Sequence, residues 1–310
     1  MQRPNTYLLG GLALIPIALF LATGCGGGKK ASSSTAPATT ATTTATTATT
    51  GANATIAAEV PAKVKSKGTL TVAADASYAP NEFIGANGHT VEGMDADLAQ
   101  ALAGVVGLKA NVVNATFDTI IPGLASGKYD LGMSSFTDTK AREKVVDFVT
   151  YFSAGTSFYV KSTGGPTIST LADLCGHTVA AEKGTTQAAD ATAQSGKCKT
   201  AGKSGVKVSV FPDQNSANLA LSSGRAQVGM ADSPVAAYIV KKSNGKFKLS
   251  GAPYGTAPYG IAIPKGNGMA KPILDALKML MSNGTYTTIL TKWGIQAGAI
   301  TNPKINGAIS

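Results

Sequence analysis

Leu124-Ala125-Ser126-Gly127-Lys128-Tyr129-Asp130-Leu131-Gly132-Met133-Ser134-Ser135 has an echo later in the chain, Leu221-Ser222-Ser223-Gly224-Arg225-Ala226-Gln227-Val228-Gly229-Met230-Ala231-Asp232. Each copy reads as a helix end, a Ser-Gly turn and a short apolar strand that stops at small polar residues. A second echo lies upstream of each: Val72-Ala73-Ala74-Asp75, then Val179-Ala180-Ala181-Glu182, a β-type run ending at an acid. Ligands of open α/β sheets bind just beyond the carboxyl ends of strands. Two such halves predict two lobes whose polar strand ends face one cleft.

Working outward, strand and helix signals alternate. Residues 70–74 read as a buried strand. Asp95 is placed to cap a helix with Leu98, Leu102 and Val105 on its apolar face and Gly107 as its stop. A strand at 110–113, a helix at 118–126 and a strand at 129–133 follow. The second half repeats the order: strand 178–181, helix from Thr186, strand 206–210, helix 216–222, strand 226–230. This alternation predicts βα units and a largely parallel sheet. Beyond Asp232 come a helix at 234–241, a strand near Phe247, another at 260–264, and helices at 271–281 and 286–293. That tail is too short for a third domain, so it is expected to pack back on the first lobe. The chain then crosses between lobes twice, near Val160 and near Gly260, and two crossing strands make a hinge.

The first residues read as targeting rather than fold. Arg3 precedes an apolar run over residues 7–22, interrupted by Pro16 and followed by Thr23-Gly24-Cys25. A short positive region, a short apolar stretch and small residues before a cut site form a secretory signal, expected over residues 1–24. Small residues before a cysteine resemble a bacterial lipobox, which makes Cys25 the lipidated mature N-terminus and the membrane anchor. Residues 25–58, dominated by Ala, Thr and Ser, are expected to be a disordered linker, because they bury too little apolar surface to offset chain entropy. As a flexible coil its ends lie about 30 Å apart.

The chain has 310 residues and a net charge of +10. Setting aside Arg3, Lys29 and Lys30 leaves +7, scattered without interleaved aromatics, which argues against a nucleic-acid partner. Of three cysteines, Cys25 is assigned to lipid, so Cys175 and Cys198 are the intramolecular pair left to form a disulfide after export. No His or Cys cluster has metal-ligand spacing, and neither a metal nor a cofactor is expected.

Several phrases taken in order resemble the extracellular solute-binding proteins of amino-acid ABC transporters, the polar amino-acid group. They are Asp75-Ala76-Ser77-Tyr78-Ala79-Pro80, Gly93-Met94-Asp95-Ala96-Asp97-Leu98, the run Ile121 to Asp130, the run Lys140 to Phe148, Gly184-Thr185-Thr186-Gln187, and Gly284 to Gly294. Asn81 departs from the pattern, since an aromatic is common there. The resemblance implies an α/β, two-lobed periplasmic-binding-protein-like (type II) clamshell with two crossing hinge strands. Its expected divisions are a first lobe of 59–159 completed by 259–310, and a second lobe of 160–258. It also implies a monomer that hands its solute to a membrane permease served by a separate ATPase chain.

A free amino acid carries a carboxylate and an ammonium, so its receptor needs a cation and an anion. Arg142 suits the carboxylate because guanidinium binds it bidentately and stays charged; in the family, an Arg at this place does so. Ser134, Ser135 and Thr137 follow a strand end, where hydroxyls and free N–H groups converge on anions. Thr185 and Thr186 open a helix whose N-terminus favours the same carboxylate. Asp232 matches the family's ammonium partner; its alternative is a plain helix cap. Tyr78 and Phe117 match rings that stack on the ligand, with a core role the alternative for Phe117. Asp75 and Glu182 are equivalent in the two echoes and approach the ligand side chain in the family. Two facing carboxylates call for a cation between them, which favours Arg, Lys, ornithine or His, with a polar neutral amino acid next. The alternative is that Glu182 turns to solvent or pairs with a lysine.

Two rival functions remain in view. A few proteins of this fold are dehydratases, and others are ligand-sensing modules of membrane receptors. Only His89 and His177 are present, both expected in exposed loops, and no nucleophile–base grouping appears. The chain is therefore expected not to be an enzyme.

Overall fold

The computed structural model describes residues 51–309. The expected signal (1–24), Cys25 and the linker as far as residue 50 lie outside the described residues. Two short helices, α1 (Ala54–Glu59) and α2 (Ala62–Lys65), lead into β1 (Thr69–Ala74). A small antiparallel meander follows: β2 (Ser77–Tyr78), β3 (Glu82–Ile84) and β4 (Val91–Glu92). Then come α3 (Met94–Val105), β5 (Lys109–Asn114), α4 (Phe117–Ala125), β6 (Leu131–Gly132), α5 (Lys140–Glu143) and the 16-residue β7 (Val146–Lys161). The second half holds β8 (Thr178–Glu182), α6 (Thr186–Thr200), β9 (Lys207–Phe211), α7 (Gln214–Ser222), β10 (Val228–Asp232) and α8 (Ser233–Lys242). The 18-residue β11 (Phe247–Pro264), α9 (Ala270–Ser282) and α10 (Thr285–Trp293) complete the chain.

The strands run in the order β5-β1-β6-β11-β7-β10-β8-β9. β1 lies parallel between β5 and β6, and β8 lies parallel between β9 and β10. These two parallel triples sit at opposite ends of one antiparallel ribbon. The first half of β7 pairs with the second half of β11, whose Ala262 reaches Gly132 of β6; the second half of β7 pairs with β10 from Thr156 to Val160. The ribbon is the double crossing between the lobes. Its register breaks between Ser250 and Tyr254, Tyr254 and Ala257, and Tyr259 and Gly260. Such bulges bend and twist a strand.

Each triple has its own core. Leu70, Val72, Leu98, Leu102, Val149, Ile261, Ile273, Leu277 and Leu290 form the first, so α9 and α10 pack on the first lobe. Phe158, Val160, Val179, Ala191, Val228 and Met230 form the second. There the Cys175–Cys198 disulfide ties α6 to the turn at Leu171–Leu174.

Four expectations are corrected. Asp95 does not cap α3; the cap position is Gly93, at φ 129°, and the Asp95 carboxylate accepts from the Ser135 N–H at 2.9 Å. Gly93 is required there, because a Cβ would meet the Asn81 carbonyl. The linker does not stay irregular to residue 58: the Asn53 side chain accepts from Ile56 N, and Ile56 packs on the first core, which starts α1. The strands expected near Phe247 and at 260–264 are one strand: Pro253 falls in the bulge between Ser250 and Tyr254, where a missing N–H is tolerated, and Pro258 stays in register opposite Ser153. The strand expected at 129–133 is only Leu131–Gly132. Among the described residues no helix is long and apolar enough to cross a membrane.

Candidate ligand-binding site

The carboxyl ends of both parallel triples open on one shared cavity. From the first lobe, β1 delivers Asp75, β2 delivers Tyr78, the start of α4 delivers Phe117, and the end of β6 delivers Ser134, Ser135 and Thr137; α5 delivers Arg142. From the second, β8 delivers Glu182, the start of α6 delivers Thr185 and Thr186, and β10 delivers Asp232. Every residue singled out as a ligand contact lines this cavity. Glu82 and Gln187 line it as well, and the sequence reading missed both. Gln187 closes the Gly184-Thr185-Thr186-Gln187 phrase, which was a usable signal; Glu82 lies in a meander that left no periodic trace.

Arg142 is held on a short helix whose cap, Thr139, accepts from its N–H. Its Nη1 donates to the Thr137 carbonyl at 2.8 Å and its Nη2 to the Gly184 carbonyl of the other lobe at 3.0 Å. The guanidinium carbon lies 5.4 Å from the rings of both Phe117 and Phe136, which stack on each other at 4.4 Å. Burial pulls the guanidinium down to about 10, which leaves it cationic at neutral pH. A guanidinium has five donors; the two carbonyls use two of them, and the rest are free for an anion. Phe117 also packs against Ile120 and Leu124, so it serves the core and the cavity wall together.

The N-terminus of α6 faces Arg142's side of the cavity. Thr185 Oγ1 donates to the Glu182 carbonyl and accepts from Ala188 N, so that hydroxyl is a cap. The first N–H groups of α6 have no partner within the helix. Ser134 and Ser135 are less free than their sequence position suggests. Ser134 Oγ accepts from Asp75 N and donates to Glu82; Ser135 Oγ accepts from Asn81 Nδ2 and donates to the other Glu82 oxygen. Burial, then the neighbouring Asp95, pushes the Glu82 carboxyl well above the usual range.

Asp232 is 6% exposed. Gln187 Nε2 donates to its Oδ1 at 2.7 Å, and its own N–H donates to the Tyr78 hydroxyl at 2.8 Å. Although it stands at the cap position of α8, its side chain makes no capping bond; the carboxylate points to the cavity. Burial pushes its pKa up to about 6, against the Tyr259 and Tyr78 hydroxyls, Gln187 and the Arg142 charge.

Asp75 and Glu182 line the same cavity, one from each lobe. Asp75 accepts from Ser77 N, from Ser77 Oγ at 2.6 Å and from Phe117 N at 2.9 Å. Burial raises its pKa, and the Ser77 and Phe117 donors with Glu182 work against that rise. Glu182 is 2% exposed and lines the cavity with Asp75 as its neighbouring acid. Burial first, then Asp75, raises it to about 10. It neither turns to solvent nor pairs with Lys183, which bridges the cleft to Asp118 at 2.9 Å. Ser77 Oγ also accepts from Gln214 N across the cleft. With Arg142–Gly184 and Tyr78–Asp232, these contacts hold the lobes closed on the cavity.

Residues 70–296 match the bacterial extracellular solute-binding proteins, family 3. An arginine-binding protein of Corynebacterium glutamicum is 32% identical over 252 residues, 81% of this chain and 82% of the relative. The solved structure of an ancestral arginine-binding protein bound to arginine superposes with a TM-score of 0.65 at 39% identity, covering 73% of this chain and 98% of that one. The same kind of protein bound to glutamine gives 0.66 at 38%, covering 74% and 98%. With a family match across both lobes and the cavity between them, the chain belongs to the bacterial extracellular solute-binding proteins, family 3.

Proposed function

We propose that this protein captures one free amino acid between its lobes and delivers it to the permease of an ABC importer, whose ATPase is a separate chain. The observation that carries this reading is the pairing of opposite charges in one closed cavity. Arg142 and the start of α6 offer donors to a carboxylate, while Asp232 offers an acceptor to an ammonium. The second acidic group, Asp75 with Glu182, is left for the side chain of such a ligand, so cationic amino acids are favoured. Polar neutral amino acids come second, and the relative bound to glutamine supports keeping them.

Ligand docks on the first lobe (59–159 with 259–310) through Arg142, Tyr78 and Phe117. The second lobe (160–258) adds Thr186 and Asp232 on closure, so the ligand favours the closed state through contacts made only there. The bulged ribbon of β7 and β11 is the hinge. Cys25, lipidated after removal of residues 1–24, tethers a monomer to the outer face of the membrane.

A thermal-shift screen of unfolded and refolded protein against the twenty amino acids, ornithine and citrulline tests this. A ligand at a hundred times its dissociation constant stabilises by about 2.7 kcal/mol. Shifts with arginine, lysine or ornithine are expected; no shift with any amino acid overturns the reading.

A further inference from the structure

Glu182 is a buried acid with no basic partner. Among the described residues no lysine, arginine or histidine pairs with it or with Asp75. The nearest charged and phenolic groups are Asp75 at the end of β1, Asp213 capping α7, Asp232 at the end of β10, Tyr78 in β2 and Tyr159 in β7, and Arg142 is the cation that shares the cavity lining without pairing to it. No N–H or O–H donor of another side chain or of the backbone reaches Glu182 Oε1. Asp75 by contrast accepts three such donors. Two buried carboxyls that share one cavity without a cation between them hold one proton between them. The donors on Asp75 make it the ionised member and Glu182 the acid; burial accordingly holds the Glu182 proton past neutral pH.

We propose that Glu182 and Asp75 form a proton-exchanging subsite that admits cationic amino-acid side chains by releasing one proton and neutral amides by keeping it. The proposal rests on the amino-acid reading above. A guanidinium or ammonium brings its own charge and donors, so both carboxylates ionise around it and the proton leaves to the buffer. The subsite then carries two negative charges and one positive. An amide donates its N–H to ionised Asp75 and accepts the O–H of Glu182, and the subsite carries a single negative charge. Net charge is minus one in both complexes, so neither ligand leaves an extra uncompensated charge in the cavity. One site thereby accepts two ligand classes that a fixed pair of carboxylates would separate.

Calorimetric titration of the protein with L-arginine and with L-glutamine, in buffers of different ionisation enthalpy at pH 7, counts the protons. Arginine is expected to release about one proton more than glutamine. The difference isolates the pair, because both ligands make the same contacts at Arg142 and Asp232. Arginine affinity should rise about tenfold per pH unit from pH 6 to 8, with glutamine nearly flat. In Glu182→Gln the extra proton and the slope disappear, and arginine weakens by a larger factor than glutamine does. Equal proton counts for the two ligands in the wild-type protein overturn the proposal, whatever the variant does. Failure of both ligands to bind overturns the amino-acid reading itself, and with it this one.

Discussion

Replacing Arg142 with lysine keeps a positive charge and removes the planar fork. The wild-type guanidinium is positioned by the Thr137 and Gly184 carbonyls and by two aromatic rings, which leaves three of its five donors for a carboxylate. A lysine ammonium in the same place keeps one charge-assisted contact, loses the second and loses its stacking. A hydrogen bond to a charged group is worth about 1.5–3 kcal/mol, so affinity should fall about 10- to 150-fold. Arg142→Met removes the charge as well and should cost about 2–5 kcal/mol. The assay is isothermal titration with a bound amino acid and with its carboxamide, which lacks the carboxylate. Wild-type protein should prefer the acid strongly, Arg142→Lys less, and Arg142→Met hardly at all. If Arg142→Met weakens acid and amide equally, the residue is a packing element and not the carboxylate ligand.

Two further outcomes follow from the same geometry. The Asp232 pKa is raised to about 6 by burial, so its neutral form contributes stability that is fully present below about pH 4 and lost as pH rises through about 6, by up to about 3 kcal/mol. Asp232→Asn should reduce the fall of unliganded stability between pH 4 and 7 in urea unfolding, leaving the parts due to the other raised acids, among them Asp95 and Asp138, each raised to about 6; an unchanged slope removes Asp232 from the account. The disulfide spans 23 residues. Changing both cysteines to serine should cost about 3 kcal/mol in unfolding while ligand affinity stays within a few-fold, since neither sulfur lines the cavity. A large loss of affinity without loss of stability would contradict that separation.

The two-lobed plan was legible because βα units leave a plain trace: an apolar run, an acid, a helix, a Ser-Gly turn. Asp75 and Glu182 end equivalent strands, and Ser135 and Asp232 end equivalent later ones, so the echoes alone locate the mouth of the cleft. The ribbon was less legible. β11 carries Pro253, Pro258, Gly251, Gly255 and Gly260, which read as turns, and only pairing with β7 makes one strand of them. Partnerships inside the site were hidden for a different reason. Ser134 and Ser135 look like free hydroxyls at a strand end, yet buried Glu82 takes both, and Glu82 reaches them from a meander held by strands of two and three residues. Asp95 looked like a cap and is a buried support for the Ser135 N–H. Short-range pattern finds which residues reach the cleft; it does not show which of them already have a partner.

The most direct measurement is a crystal structure of the protein grown with L-arginine. The account predicts the ligand carboxylate on the Arg142 fork and the α6 N-terminus, its ammonium on Asp232, and its guanidinium between Asp75 and Glu182. Arginine found reversed in the cavity, or bound elsewhere with the cavity unchanged, would contradict it.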